Sequence, residues 1–267
     1  MADTPLKEPA MTPNFNLHLP GVTLPGTRSI SWRRPFVWLS AGLEDLKANP
    51  GPSLAYGLLF AIGGDLIMLA ALRHPYLLTV AVSGFFLIAP LLAAGLYELS
   101  RQTGRGRKIL FIDSLRCFQR NGQSLALFGL VIGLAVIFWE RFSAIAFALL
   151  GDSSGADASV FLSRILLSGE HGSFVVAWFT AGGLLALFIF AVSVVSVPLM
   201  LDRDSDFVTA MATSLQAFLN NVGPLLLWAI LIVFLCLLGF ATLLFGLVII
   251  MPILGHASWH AYRDLVE

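Results

Sequence analysis

Residues 114–121 read SLRCFQRN, and residues 214–221 read SLQAFLNN. Each octet is followed at once by a long apolar run. Aligned on Asn121 and Asn221, Ser114 matches Ser214, Leu115 matches Leu215, and Phe118 matches Phe218. Ile112, Leu115 and Phe118 recur every three residues. Phe207, Met211, Leu215 and Phe218 recur every three or four. Each set falls on one face of a helix. Arg116 and Arg120 stand on the opposite face of the first. Such a helix lies in a membrane interface with its basic face toward the headgroups. The asparagine after the last turn is expected in the left-handed conformation that ends helices.

The same phrase occurs once more. Residues 42–49 read GLEDLKAN, with Leu43, Leu46 and Asn49 in register with the two octets. The three asparagines are followed by PGPSLAYGLLF, GQSLALFGLVI and VGPLLLWAILI. Further on come IAPLL, SVPLM and MPILG, each with a proline in an apolar run. The simplest architecture is one unit used three times: an interfacial helix, a membrane helix, and a membrane helix carrying proline. The units span 36–102, 109–204 and 205–267. Convergence is the alternative, because the spacing from asparagine to proline is uneven, at 41, 77 and 31 residues. The middle unit then holds an insertion at 140–173, read as an external loop with a short amphipathic helix at 160–167.

Composition demands a membrane. Of 267 residues, 57% are hydrophobic and 12% charged, and the mean hydropathy is +0.84. Soluble domains carry about 25% charged residues, so this chain cannot coat a water-facing surface. The fold class is an all-α polytopic bundle of about six membrane helices. The helices start near Ser53, Tyr76, Gln123 and Phe174, with the last pair in the uncharged run Val222–Gly255. A single helix over that run would be about 50 Å long, against a hydrocarbon core of about 30 Å. A turn near Gly239–Thr242 resolves the excess, and five helices is the fallback. Residues 1–35, rich in proline and without an apolar run, read as a flexible tail. Residues 36–267 form a single membrane domain.

Six helices with both ends on one side put thirteen Lys and Arg there and three on the other. The positive side is cytoplasmic, so both termini are expected inside a bacterial inner membrane. The partner is the bilayer, with other membrane subunits as further candidates. Net charge is zero, which gives no nucleic acid a reason to bind. Cys117 and Cys236 read as reduced packing residues.

The phrases DLKANPGPSLAYGLLFAIGG and FFLIAPLLAAGLYELSRQ resemble the DUF2189 family of proteobacterial integral membrane proteins. Some members carry the label of cytochrome c oxidase subunits. The resemblance implies a multi-pass membrane protein, and it brings no catalytic residues with it.

Few residues point to chemistry. Asp65 sits thirteen residues into the first apolar run, in GGDLIML. A carboxylate within a membrane is costly unless paired, solvated or protonated, so it is a candidate functional group. Close helix packing at Gly63 and Gly64 is its structural alternative. His256 and His260, four residues apart, share one helix face. They suit two ligands to one metal with a third from elsewhere, or interfacial histidines in an aromatic belt with Trp259 and Tyr262. The other histidines, His18, His74 and His171, lie in a tail and in loops, so a haem–copper catalytic subunit is excluded. No cofactor is predicted, and association with haem or metal is left open. Arg105, Arg107, Lys108, Arg116 and Arg120 form a basic run that sets topology or binds anionic headgroups. Walker, HExxH, CxxC and Gly-x-Ser-x-Gly motifs are absent. The leading expectation is a non-enzymatic accessory or assembly-type membrane protein, near respiratory complexes. The competing one is a transporter or channel for a small solute or ion that uses Asp65.

Overall fold

The computed structural model describes Phe15, Leu17 and residues 23–73, 92–149 and 172–267. Pro90, the expected 160–167 helix, His18, His74 and His171 lie outside the described residues. The regular structure of the described residues is helical, with a lone antiparallel bridge between Thr27 and Val266. α1 covers Arg34–Ala48, with Pro35 in its first turn, where a missing N–H costs nothing. α2 covers Pro50–Arg73. α3 takes residues 92–103. A basic turn, residues 104–108, leads to α4, Phe111–Ser114. α4 continues through a 3₁₀ turn at Leu115–Cys117 into α5, Phe118–Leu149. α6 follows at Gly172–Ser193, α7 at Ser196–Arg203 and α8 at Phe207–Asn220. α9 is Val222–Ala241, and α10 is Leu247–Leu265. Cys117 and Cys236 are free thiols.

Three helical segments among the described residues are long and apolar enough to cross a membrane: Phe111–Ala146, Gly172–Arg203 and Val222–Ala241. Their outward residues, such as Leu130, Leu134, Phe188, Ile230 and Val233, are more than half exposed on the bare chain. Lipid, not water, suits such a belt. The uncharged run from Val222 is two helices, as its length requires. α9 ends after 20 residues, about 30 Å. Residues 242–246 then turn the chain. The Thr242 hydroxyl donates to Gly239 C=O and accepts from Gly246 N–H, both at 2.8 Å.

The three asparagine joints share one geometry. Asn49 has φ −139° and ψ 64°, Asn121 −139° and 44°, and Asn221 −138° and 37°. None is left-handed, so the expected backbone role gives way to a side-chain one. The Asn49 amide donates to Ile109 C=O at 3.2 Å. The Asn121 amide donates to Ser205 C=O at 2.7 Å and to Met200 C=O at 3.1 Å. The Asn221 amide donates to Arg28 C=O at 2.9 Å and accepts from Ile30 N–H at 2.8 Å. Each joint therefore holds the segment that leads into another short helix. Asn49 holds the approach to α4, Asn121 the approach to α8, and Asn221 the approach to α1. The order is cyclic.

The packing follows the same register. Seven residues before each asparagine stand Gly42, Ser114 and Ser214, all buried. Seven residues after stand Tyr56, Phe128 and Trp228, none more than 1% exposed. Trp228 meets Trp38 of α1 edge to face, with centroids 5.6 Å apart. Tyr56 donates or accepts at the Ser114 hydroxyl at 2.6 Å.

Of the prolines in IAPLL, SVPLM and MPILG, Pro198 and Pro252 are described, and each disturbs its helix locally. A proline lacks an N–H and its ring crowds the carbonyl four residues back. Before Pro198 the helix opens at 194–195. There Ser214 repairs it, accepting from Val195 N–H at 3.3 Å and donating to Ala191 C=O at 2.8 Å. Pro252 stays inside α10 and leaves Val248 C=O without its helical donor. Gly57 of α2 packs directly on that carbonyl, where any Cβ would collide with the backbone. Gly42 of α1 packs likewise on α10 at Ile253 and Ala257.

At the start of α8, Asp206 caps the helix by accepting from Val208 and Thr209 N–H, both at 2.9 Å. The Thr209 hydroxyl and these amides hold its carboxyl below the usual range. The described part of the expected tail is tied to the bundle. Arg28 N–H donates to Leu265 C=O, and Glu267 N–H to Gly26 C=O, both at 2.9 Å.

Candidate functional site

The bundle has two unlike ends. One holds the three asparagines and the short helices α1, α4 and α8, and is called the asparagine end below. The other holds the 242–246 turn. A polar pocket of about 290 Å³ opens at the asparagine end. Asp45 of α1, Ser100 and Arg101 of α3, Gly104 and Arg105 of the basic turn, and Asp202 of α7 line it. Trp259, His260 and Arg263 of α10 complete it.

Most of these groups are already engaged. His260 Nε2 lies 2.9 Å from Asp45 Oδ2. Asp202 accepts from the Tyr262 hydroxyl at 2.9 Å and faces Arg263 at 3.6 Å. Arg101 grips Glu98 through two bonds, at 2.8 and 2.9 Å. Glu98 is 4% exposed, and it also accepts from Gln102 at 2.7 Å and from Arg120 at 3.5 Å. A carboxylate so buried is tolerable because each oxygen has donors.

Below the pocket lies His256, fully buried. Its Nδ1 is 2.7 Å from the Ser100 hydroxyl and its Nε2 is 2.9 Å from the Ser53 hydroxyl. Ser53 donates its own proton to Asn49 C=O at 2.8 Å. Toward the ring it can therefore only accept, which puts the imidazole proton on Nε2. Nδ1 then accepts from Ser100. A ring protonated at Nε2 alone satisfies every member of this chain, and the chain ends at the Asn49 carbonyl.

The sequence candidates fall in different places. His256 and His260 share a face of α10 but are held by different partners, two serines and an aspartate. No cluster of three or more His, Cys, Asp or Glu fit for a metal occurs among the described residues. Asp65 is exposed on the bare chain. It lies sixteen residues past Asn49, about 24 Å along α2. Its neighbour Gly64 packs on Leu244 of the 242–246 turn. Asp65 therefore belongs to the turn end, far from the pocket. Of the basic run, Arg105, Arg107 and Lys108 are exposed on the turn after α3. Arg116 stands 3.6 Å from Asp113 and remains 75% exposed. Arg120 reaches Glu98. Glu140 and Arg141 pair at 2.7 Å within α5, which runs on to Leu149. Nearby, Trp139 stacks on Phe142 and Trp178, with centroids 5.8 and 5.5 Å away.

Sequence reasoning missed Asp45 and Asp202 as partners and Ser53 and Ser100 as the groups that hold His256. The bond from Asp45 to His260 spans 215 residues, and nothing local announces such a pair.

No curated protein and no solved structure matches the chain. Residues 77–202, which end in the last turn of α7, match the model of DUF2189, a family described as "Predicted integral membrane protein".

Proposed function

We propose that the chain crosses a bacterial inner membrane six times, as three helix pairs each led by an interfacial helix, with both termini cytoplasmic. The cyclic order of the asparagine clasps supports three equivalent units arranged in a ring. The excess of Lys and Arg at the asparagine end supports its cytoplasmic placement. The apolar faces of the short helices support an interfacial position. Phe36 and Val37 of α1, Ile112 of α4 and Val208 of α8 are 47–64% exposed on the bare chain.

On this architecture the chain acts as a non-enzymatic accessory or assembly-type protein whose working face is the asparagine end. One observation carries the reading: the buried polar chain leading inward from the pocket stops at Asn49. It passes from Ser100 through His256 to Ser53 and goes no further. Asp65 is nine residues beyond Tyr56, about half a turn round α2 from its buried face. Past Ser53 this chain of bonds leads to the Asn49 carbonyl, at the same end of the bundle. The oxidase label of the resembling family makes respiratory complexes the first partners to seek.

One observation favours the transporter reading: Asp65 has no hydrogen-bond or ion-pair partner among the described residues. Purification from native membranes in a gentle detergent separates the two. The accessory reading predicts a membrane subunit in fixed stoichiometry with the chain, unchanged by Asp65→Asn. A chain that purifies alone, and whose ion flux in proteoliposomes is abolished by Asp65→Asn, would move the assignment to transport.

A further inference from the structure

The pocket at the asparagine end is asymmetric in what it offers a ligand. Its acids are recessed and engaged. The Asp45 side chain is 11% exposed and holds His260. The Asp202 side chain is 14% exposed and holds Tyr262 and Arg263. Arg101, 9% exposed, is bound to Glu98 through both arms of its fork.

The cations at the opening are free to do more. Arg105 lines the pocket, is exposed, and has no ion-pair partner among the described residues. Arg263 is 59% exposed, and its acid lies 3.6 Å away, beyond a good hydrogen bond. Gly104 places no side chain in front of these groups. The open face therefore presents N–H donors, while the acceptors are satisfied inside. Arg107 and Lys108 follow on the same turn and add positive potential.

A planar guanidinium fork matches the oxygens of a phosphate. We propose that this pocket binds a phosphate group through Arg105 and Arg263. Because the pocket lies where the helices reach the interface, that phosphate comes either from a lipid headgroup or from a soluble phosphate ester. The inference rests on the asparagine end being the working face of the protein, and it gives that face a ligand class.

The test uses the full chain in a neutral detergent, with thermal stability followed against inorganic phosphate and glycerol phosphate. Sodium chloride at matched ionic strength is the control. The expected result is a saturable rise in Tm with phosphate and none with chloride. Arg105→Gln should weaken half-saturation at least tenfold while leaving the ligand-free Tm unchanged, since Arg105 has no ion-pair partner among the described residues. Arg105→Lys should keep part of the effect, retaining the charge without the fork. Nanodiscs of phosphatidylcholine with and without phosphatidylglycerol then separate the sources. Stabilisation by phosphatidylglycerol that abolishes the response to inorganic phosphate assigns the site to a headgroup. A phosphate response that persists in both lipids assigns it to a soluble ester. No saturable response to phosphate or to phosphatidylglycerol, or a response unchanged by Arg105→Gln and Arg263→Gln, would overturn the proposal. Either of those results leaves the partner seen in native-membrane purification standing or falling by itself.

Discussion

Asn221→Ala lowers the stability of the purified protein by about 3 kcal/mol, on the scale of one to three for each buried group left unpaired. Asn221 is 3% exposed. Its amide accepts from Ile30 N–H at 2.8 Å, donates to Arg28 C=O at 2.9 Å, and donates to Ala217 C=O at 3.0 Å. Alanine removes all three bonds and leaves the Ile30 N–H and the Arg28 carbonyl without this partner. Asn49→Ala removes one side-chain bond, of 3.2 Å, and should cost about 1 kcal/mol. Equilibrium unfolding in mixed micelles, with the denaturing detergent as titrant, measures both. Equal small losses at the two joints would mean that the clasp onto residues 28–30 contributes little.

Gly57→Ala is the second large effect. The added Cβ would sit on the Val248 carbonyl, a backbone atom that cannot rotate aside. α2 and α10 must separate, which strains the Ser53–His256 bond at 2.9 Å. Overpacking of this kind costs about 1–3 kcal/mol, and the upper part of that range is expected here. Gly51→Ala in the same helix is the control. A Cβ there meets nothing within 4 Å, and alanine is the better helix former by about 1 kcal/mol. The pair should therefore move in opposite directions in the same unfolding assay. A neutral Gly57→Ala would mean that α2 and α10 do not touch as described.

These two sites also show how far the sequence could be read. The octets at 114–121 and 214–221 place the short helices and their asparagines because amphipathic periodicity is local. What the asparagines do was not legible. Their partners are backbone groups of Ile109, Ser205, Arg28 and Ile30, and a carbonyl has no side-chain signature. The buried aromatic position seven residues after each asparagine hides behind three residue types, Tyr56, Phe128 and Trp228. Pro252 in MPILG is plain to see, yet only the fold shows that the carbonyl it frees meets Gly57.

The candidate site was less legible still. Arg105 and His260 stood out by residue type, but their pocket is assembled from α1, α3, α7 and α10. Asp45 and Asp202 carry no local signal until His260 and Tyr262 are placed beside them. Asp65 attracted attention as a charge in an apolar run. Depth in a membrane cannot be counted from an uncertain helix start, and packing at Gly64 sets it at the turn end.

Side-specific labelling of single cysteines tests the central claim, a ring of helix pairs with the asparagine end inside. Cys117→Ala and Cys236→Ala supply a background without native thiols. Single cysteines are then introduced as Arg107→Cys, Phe245→Cys and Glu267→Cys and exposed to a membrane-impermeant maleimide in intact spheroplasts. The account predicts that position 245 reacts from outside, and that positions 107 and 267 react only after lysis. Protection of position 245 until lysis, or opposite sides for positions 107 and 267, would contradict it.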